Sequence, residues 1–265
     1  VTFDPSGPQP SQIALLTATD GKGHNGGIPN IVEQTAANRR EYCAHHGYVY
    51  QFVNISGFDL GGAHAVWAKL PAIAETFAKN PAVEWVWWLD LDAIIMTPNR
   101  TMQDVVLSEA ALRRAYKSDS DFVQYGNWSA IPGARTRAEA DWQTMDFLIS
   151  QDQNGLNAGS FLIRRSAWSK MLLDMWGDPL LREQDWVGKE QDALLHLVKN
   201  HAVIRKNIGL IQQRTINGYS EGDGDMGWQV GDIAVHFAGC WVADVCAERW
   251  AQFWEIRGRV GSDAF

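Results

Sequence analysis

Cysteine is scarce in this chain: Cys43, Cys240 and Cys246 are the only three in 265 residues, and they match neither a zinc-ligand spacing nor a multi-disulfide framework. At most one disulfide can close, with Cys240 to Cys246 the easier loop. Long apolar runs are missing too. No stretch of 18 apolar residues reads as a membrane span, and no secretory leader is visible. Basic residues are outnumbered, 23 against 31 acidic for a formal net charge of −8, which argues against a general nucleic-acid or anionic-membrane binder. There is no G-x-x-x-x-G-K-[S/T] phosphate loop and no G-x-G-x-x-G opening a helix. A G-x-S-x-G elbow is absent, and no cysteine has a triad context, which disfavours acyl-transfer and thiol catalysis.

What is present is enough to bury a full-sized core: 46% of the residues are apolar, and 13 are tryptophan. Most of these indoles are expected in packing, although indoles also stack on sugar faces. Asn54, Asn99 and Asn127 each open an N-glycosylation triplet, a weak pointer to a secretory route. Residues 1–12 read as the remnant of a linker, and 13–265 as one large domain or two fused lobes, with halves at 13–98 and 99–265.

Ile13 to Thr17 reads as a strand running into a Gly-rich loop, and Ile31 to His46 as a helix closed by Gly47. Tyr48 to Asn54 is a second strand, Ala65 to Lys79 a second helix, and Glu84 to Leu89 a third strand. Continuous apolar strands alternating with helices predict an α/β fold with a mostly parallel sheet covered on both faces. Ligands of such sheets gather beyond the carboxyl ends of the strands, which places Asp20 and the Asp90/Asp92 pair on one rim. Further on, the pattern predicts a helix over Met102 to Tyr116, a short strand at Phe122 to Tyr125 and a long loop over 127–140. An apolar strand follows at Phe161 to Ile163, with helices around Trp168 to Trp176 and Glu190 to Val198. Asn217 to Met226 reads as a mobile acidic loop, and Ile233 to Phe237 as a last strand presenting His236.

The segment Val86-Trp87-Trp88-Leu89-Asp90-Leu91-Asp92-Ala93-Ile94-Ile95-Met96 poses the chemical question. Two carboxylates one residue apart inside an apolar run need a cation, several donors or an escape to water. A bend at a strand end would aim both at one hard divalent cation. The plainer alternative, acids facing water, fits poorly with the apolar residues on both sides. His236 is a candidate third ligand, although a half-buried histidine with a backbone partner fits its spacing equally well. His24, His64, His196 and His201 lack the paired spacings of metal ligands. Thr17, Thr19 and Asp20 could hold a nucleotide. Glu190, Gln191 and Asp192 open a helix, where acids and amides are favoured by the free N–H groups alone. Transfer from a phosphate-bearing donor fits best. The alternatives are a phosphohydrolase with an aspartyl nucleophile, or a carbohydrate-binding module with a structural cation.

Seven blocks taken in order carry a resemblance: 15–20, 38–48, 67–70, 87–93, 157–164, 190–194 and 235–240. Their key stretches are Leu-Leu-Thr-Ala-Thr-Asp, Trp-Trp-Leu-Asp-Leu-Asp-Ala, Asn-Ala-Gly-Ser-Phe-Leu-Ile-Arg and Val-His-Phe-Ala-Gly-Cys. Together they resemble the galactosyl/mannosyl/xylosyltransferase family of retaining Golgi enzymes. That family includes fungal mannan α-1,6-mannosyltransferase subunits, fungal α-1,2-galactosyltransferases and plant xyloglucan α-1,6-xylosyltransferases. The resemblance implies a GT-A fold, a nucleotide-sugar donor and Mn²⁺. By position, Asp90, Asp92 and His236 would hold the metal, and Asp90 would also address the ribose or donor sugar. Thr17, Thr19 and Asp20 would line the nucleotide pocket, and Asn157, Gly159 and Ser160 the sugar and acceptor side. Glu190, Gln191 and Asp192 would flank the reacting carbon. Plant relatives carry Asp-Asp-Gln where this chain has Lys189-Glu190-Gln191, so Glu190 and Asp192 both stay candidates for the acid.

Within the family, the form of the acidic block and the His24 to Asn30 stretch favour GDP-mannose and α-1,6 transfer to a mannan or N-glycan acceptor. UDP-galactose with α-1,2 transfer is the alternative. The resemblance also implies a type II protein of the Golgi lumen, anchored by an N-terminal span outside this sequence, with sister glycosyltransferase subunits as partners. The acidic loop 217–226 is expected to act as a lid that excludes water.

Overall fold

The computed structural model describes residues 4–21, 27–126 and 128–261. His24, most of the Gly-rich loop and the Asn127 triplet's asparagine lie outside the described residues. In chain order the elements begin with β1 (Ile13–Thr19), α1 (Ile31–His46), β2 (Val49–Asn54), α2 (Lys69–Lys79), β3 (Trp85–Leu89) and β4 (Ala93–Ile95). Next come α3 (Glu109–Ala115), β5 (Asp121–Gln124), β6 (Ser129–Arg135), β7 (Phe147–Asp152), β8 (Gly155–Arg164), α4 (Ala167–Trp176) and α5 (Pro179–Arg182). The chain continues with α6 (Glu190–Asn200), α7 (Ala202–Arg205), β9 (Ile208–Leu210), β10 (Gly218–Tyr219), β11 (Ala234–His236) and α8 (Cys246–Ile256).

A six-stranded sheet in the order β2-β1-β3-β8-β7-β9 forms the centre. Pairing is parallel except along β8, which runs against both β3 and β7, so five strands share one direction. The expected mostly parallel α/β sheet is therefore present. All five residues of β3 and all ten of β8 are buried, as a sheet covered on both faces requires. The pairing of β3 with β8 joins the two sequence halves in one sheet.

A small sheet, β10-β11-β4, leaves the main one where β3 ends. β4 is antiparallel to β11, with His236 opposite Ala93. The short stretch Asp90–Asp92 is thus the link between two sheets, and the register of the second brings His236 beside it.

Several elements depart from the sequence pattern. The expected linker at 1–12 is docked over its described residues: Gln103 Nε2 donates to Pro8 O, and a Cβ on Gly7 would lie 2.8 Å from Leu107 O. The helix expected over 102–116 is a π-helical turn at Gln103–Leu107 followed by α3, divided at Ser108, whose hydroxyl caps α3 by accepting from Ala111 N. Within the expected loop at 127–140, β6 pairs with β5. The acidic loop is pinned at its start by β10, and Ser220 N donates to His236 O.

Candidate active site

A cavity of about 420 Å³ opens at the carboxyl ends of β1 and β3. Its floor is the β3–β4 link, and α1 explains how that link is held. This helix turns an unusually polar face inward, with Thr35, Asn38 and Arg39 all buried. Thr35 Oγ1 donates to Leu91 O at 3.0 Å. Asn38 pairs with Ile95 at both ends, its amide donating to the carbonyl at 3.1 Å and its oxygen accepting from the N–H at 2.8 Å. Arg39 donates to Thr17 Oγ1 and Leu89 O at 2.7 Å each, and also to Asp90 O and Ala93 O. Its guanidinium thereby gathers three carbonyls of the link; burial pulls its pKa down to about 10. From the far side Gly159 O accepts from Asp90 N at 2.7 Å, and Asp92 O accepts from Phe237 N at 2.9 Å. The backbone between the two aspartates is consequently fixed from both faces.

With the backbone fixed, the side chains converge. One ligand atom from each of Asp90, Asp92 and His236 lies within 4.8 Å of the others, an arrangement able to hold a divalent cation. Asp92 is only 4% exposed, and His236 Nε2 stands 3.6 Å from its carboxylate. Burial alone would push the Asp92 pKa up, but the hydrogen bond and charge of His236 outweigh it and the carboxyl is held below its usual value. Burial likewise works to lower the His236 pKa, and Asp92 reverses that to a net rise.

The other imidazole nitrogen faces Asn217 Oδ1 at 2.9 Å. Asn217 Nδ2 donates to Asn157 Oδ1 and Ser150 Oγ, so its oxygen is the acceptor end. In the neutral ring His236 Nδ1 then carries the proton and Nε2 the lone pair, whereas the protonated ring also turns an Nε2–H toward Asp92. Gly159 is required beneath this ring: a Cβ there would lie 2.1 Å from His236 Cε1.

Asp90 is braced separately. Trp88 Nε1 donates to Asp90 Oδ1 at 2.6 Å, and Lys69 Nζ lies 3.3 Å from the same oxygen. Lys69 also donates to Glu190 Oε1 at 2.6 Å and to Ala158 O at 2.9 Å. Burial alone would lower the Lys69 pKa, but Asp90 and Glu190 overcome it and hold the ammonium charged. Three carboxylates face Lys69 and Arg39 as fixed cations, so the cluster stays net negative when His236 is neutral. That balance and the O, O, N donor set fit a divalent cation.

The candidate residues divide on this geometry. Thr19, Asp20, Asp90, Asp92, Asn157, Gly159, Glu190, Gln191 and His236 all line the cavity. Thr17, Ser160 and Asp192 do not. Thr17 is buried and held by Arg39, Ser160 Oγ accepts from Trp87 Nε1 in the core, and Asp192 Oδ2 accepts from Gly188 N to close the turn before α6. Alternation along β8 explains Ser160, next to the rim residue Gly159, while Thr17 shares its side of β1 with Thr19 but lies two residues in from the strand end, where Arg39 covers it. Gln191 Oε1 accepts from Ala158 N, which directs the NH₂ end of its amide as the donor.

Lys69, Arg39 and Asn217 join the site in the structure, although the sequence pattern assigns none of them an individual role there. The signal for Arg39 was available, namely three polar residues at helical spacing on the buried face of α1. Asn217 carried none, because it sits in what reads as a polar loop. That loop also loses its expected place over the site: Asp223 and Asp225 line a different cavity. Cys240 and Cys246 are joined as a disulfide, as their spacing suggested, and Trp241 between them stands at the mouth of the first cavity.

Comparisons with known proteins agree with this geometry. The probable alpha-1,2-galactosyltransferase gmh1 of Schizosaccharomyces pombe is 38% identical over 250 residues, covering 93% of this chain and 74% of that protein. An alpha-1,2-galactosyltransferase of the same yeast is 33% identical over 99% of this chain and 70% of its own length. The probable alpha-1,6-mannosyltransferase MNN10 of Saccharomyces cerevisiae is 36% identical over 87% of this chain and 62% of its own. A solved glycosyltransferase involved in the glycosylation of the major capsid of PBCV-1 has the same fold, with a TM-score of 0.62 at 16% identity over 91% of this chain and 98% of that one. The sheet order with its single reversed strand is accordingly a GT-A-type, Rossmann-like fold. The family profile runs from residue 9 to residue 247 and so spans every element that builds the cavity, and on that match the chain belongs to the galactosyl transferase GMA12/MNN10 family.

Proposed function

We propose that the chain is a retaining hexosyltransferase that moves galactose from UDP-galactose, in α-1,2 linkage, to a saccharide acceptor. The observation that carries the reaction class is the buried Asp90–Asp92–His236 cluster on the floor of a cavity at the strand ends. The sugar rests on the relatives: those called α-1,2-galactosyltransferases include a 38% match over 93% of this chain, against 36% over 87% for the α-1,6-mannosyltransferase. This reverses the preference for GDP-mannose drawn from the acidic block. Mannose transfer to a mannan acceptor stays as the second reading because of that mannosyltransferase relative. Phosphate-ester hydrolysis and non-catalytic sugar binding are not the activity named for the family.

Mn²⁺ held by Asp90, Asp92 and His236 would neutralise the charge developing on the departing diphosphate. Thr19 and Asp20, at the end of β1, would bind the nucleotide. Gln191 would place its NH₂ group beside the anomeric centre. Glu190 is a poor covalent nucleophile here, since it is buried and its carboxylate is held by Lys69 at 2.6 Å. Same-face attack, with the leaving phosphate taking the acceptor proton, is therefore favoured over double displacement.

The Cys240–Cys246 disulfide and the exposed asparagines of two glycosylation triplets, Asn54 and Asn99, support a place in the Golgi lumen. Among the described residues no helix is long and apolar enough to cross a membrane. A type II anchor and partnership with sister transferases belong to the same proposal. The test is donor turnover with UDP-galactose, GDP-mannose and UDP-xylose, each with Mn²⁺ and with chelator. UDP-galactose should be turned over fastest and only with metal; preference for GDP-mannose would overturn the galactose reading and leave the transferase reading standing.

A further inference from the structure

The charges that line the metal cavity leave one cation unspent. Asp20, Asp90, Asp92 and Glu190 bring four carboxylates to its wall, against two lysines, Lys69 and Lys189, and no arginine. Lys69 is 5% exposed, with Nζ 2.6 Å from Glu190 and 3.3 Å from Asp90, so its charge is committed to the floor. Lys189 is half-buried, two positions before Gln191 on the same wall. Its side chain has no hydrogen bond or ion pair among the described residues.

The backbone at Lys189 is held in an unfavourable shape. Gln191 N donates to Gly188 O at 3.2 Å, closing a tight turn with Lys189 and Glu190 at its centre. Lys189 has φ +52° and ψ −124°, close to the first central position of a type II′ turn, where glycine is the usual residue. The glycine stands one position earlier for a different reason. Gly188 N donates to Asp192 Oδ2 at 2.7 Å, and a Cβ on residue 188 would lie 2.5 Å from Asp192 Oδ1. Asp192 therefore clamps the turn, and the strain falls on a lysine that faces the cavity.

The chemistry of a nucleotide-sugar donor says what that ammonium would meet. At neutral pH the base, the ribose and the transferred sugar are uncharged, and the negative charge lies on the diphosphate. That charge grows as the sugar departs, so a fixed cation beside it is worth more late in the reaction than early. Sugar hydroxyls offer the same ammonium only dipoles, and a charge-assisted bond to an anionic oxygen is the stronger one.

We propose that Lys189 binds a phosphate oxygen of the donor's diphosphate, with Asp192 as the positioning residue that holds its turn. The proposal rests on the transferase reading above and does not depend on which sugar is moved.

Calorimetric titration with UDP and with GDP, in Mn²⁺ and without turnover, tests it. Lys189→Met should weaken the nucleoside diphosphate that the parent binds by about tenfold or more, and Lys189→Arg should keep most of the affinity. The corresponding nucleoside, which has no phosphate, should bind the parent and Lys189→Met alike by ligand-observed NMR. Lys189→Gly should lose the same affinity while its Tm holds or rises, because glycine relieves the strained φ; a lysine serving the fold alone would lower Tm and leave affinity unchanged. Equal diphosphate affinity in the parent and Lys189→Met, or an equal fall for nucleoside and diphosphate, overturns the proposal and leaves the transferase reading standing. A parent that binds GDP and not UDP overturns the galactose reading alone, and Lys189 is then judged on GDP. A parent that binds neither overturns the transferase reading and this proposal with it.

Discussion

At the floor of the first cavity Asp92, His236, Lys69 and Glu190 are each no more than 5% exposed and are held by side chains from α1, α2, β8 and the 217 turn. At its mouth Val187 is 77% and Trp241 45% exposed, on the turn before α6 and on the short disulfide-closed loop after β11. The floor must present charge at fixed distances, and a buried charge survives only if every neighbour is arranged around it. In the proposed reaction the acceptor would enter at the mouth, where exposed apolar side chains could meet different saccharides without rebuilding the site. Substitutions at the floor should therefore disturb metal binding and catalysis, and stability as well where they strand a buried charge, whereas those at the mouth should change substrate binding alone.

The strongest way to break that contrast is Asp92→Asn. If Asp92 is one of three ligands to Mn²⁺, as proposed, its loss should cut transfer by roughly 10³-fold or more and abolish Mn²⁺ binding measured by calorimetry. Circular dichroism should be unchanged, since the link's backbone is held by Arg39, Thr35 and Gly159 rather than by this side chain. A fully active Asp92→Asn would sink the metal assignment.

Lys69→Met is next. It leaves Glu190 buried without its cation, which costs about 3–5 kcal/mol and should lower Tm by several degrees. Pairing it with Glu190→Gln should recover most of that stability but not activity. If the single variant were as stable as the parent, the ammonium would not be what holds Glu190.

Asn217→Leu tests the indirect part of the floor. It removes the acceptor that sets the His236 tautomer, so metal affinity should fall about 10–100-fold while CD and the donor preference stay the same. A loss confined to stability would mean that Asn217 only packs. The pH dependence gives a smaller, graded effect. His236 must be neutral to bind metal, and its pKa is raised by Asp92, so Mn²⁺ affinity should climb as pH rises through that raised value and then level off. The metal-free chain should show the opposite slope. A raised folded pKa contributes stability that is fully present below the unfolded value of about 6.5 and is lost as pH rises through the folded one. Tm scans with chelator and with Mn²⁺ across pH 5 to 8 should therefore diverge.

The same contrast explains what the sequence disclosed. Strands β1 to β3 and α1 were legible because their apolar runs and terminal Gly47 are local signals. Asp90 and Asp92 stood out because acids inside an apolar run violate the pattern around them. His236 depended on the register of β11 against β4, a pairing across about 140 positions of chain that no local pattern specifies. Lys69, Arg39 and Asn217 are polar groups satisfied by distant partners, and on the sequence they look like ordinary helix and loop residues. Asp192 shows the same limit: its place after Glu190-Gln191 matches the family block, while its carboxylate accepts from Gly188 N.

The mouth should yield the smallest effect, and its pattern is the most informative. Trp241 stands between two bonded cysteines, so its position comes from a loop closed covalently rather than from burial. Trp241→Ala removes an exposed aromatic plane and leaves the disulfide, His236 and the Asp92 contact in place. If the indole stacks on the acceptor, the acceptor KM should rise about threefold to tenfold, with kcat, the donor KM and Mn²⁺ affinity unchanged. Donor hydrolysis without acceptor separates this from a water-excluding role, because loss of a shield would raise hydrolysis while loss of a platform would not. A fall in kcat or metal affinity of similar size would instead place Trp241 with the floor, and the division between a braced floor and a tolerant mouth would then lie further out, at Val187.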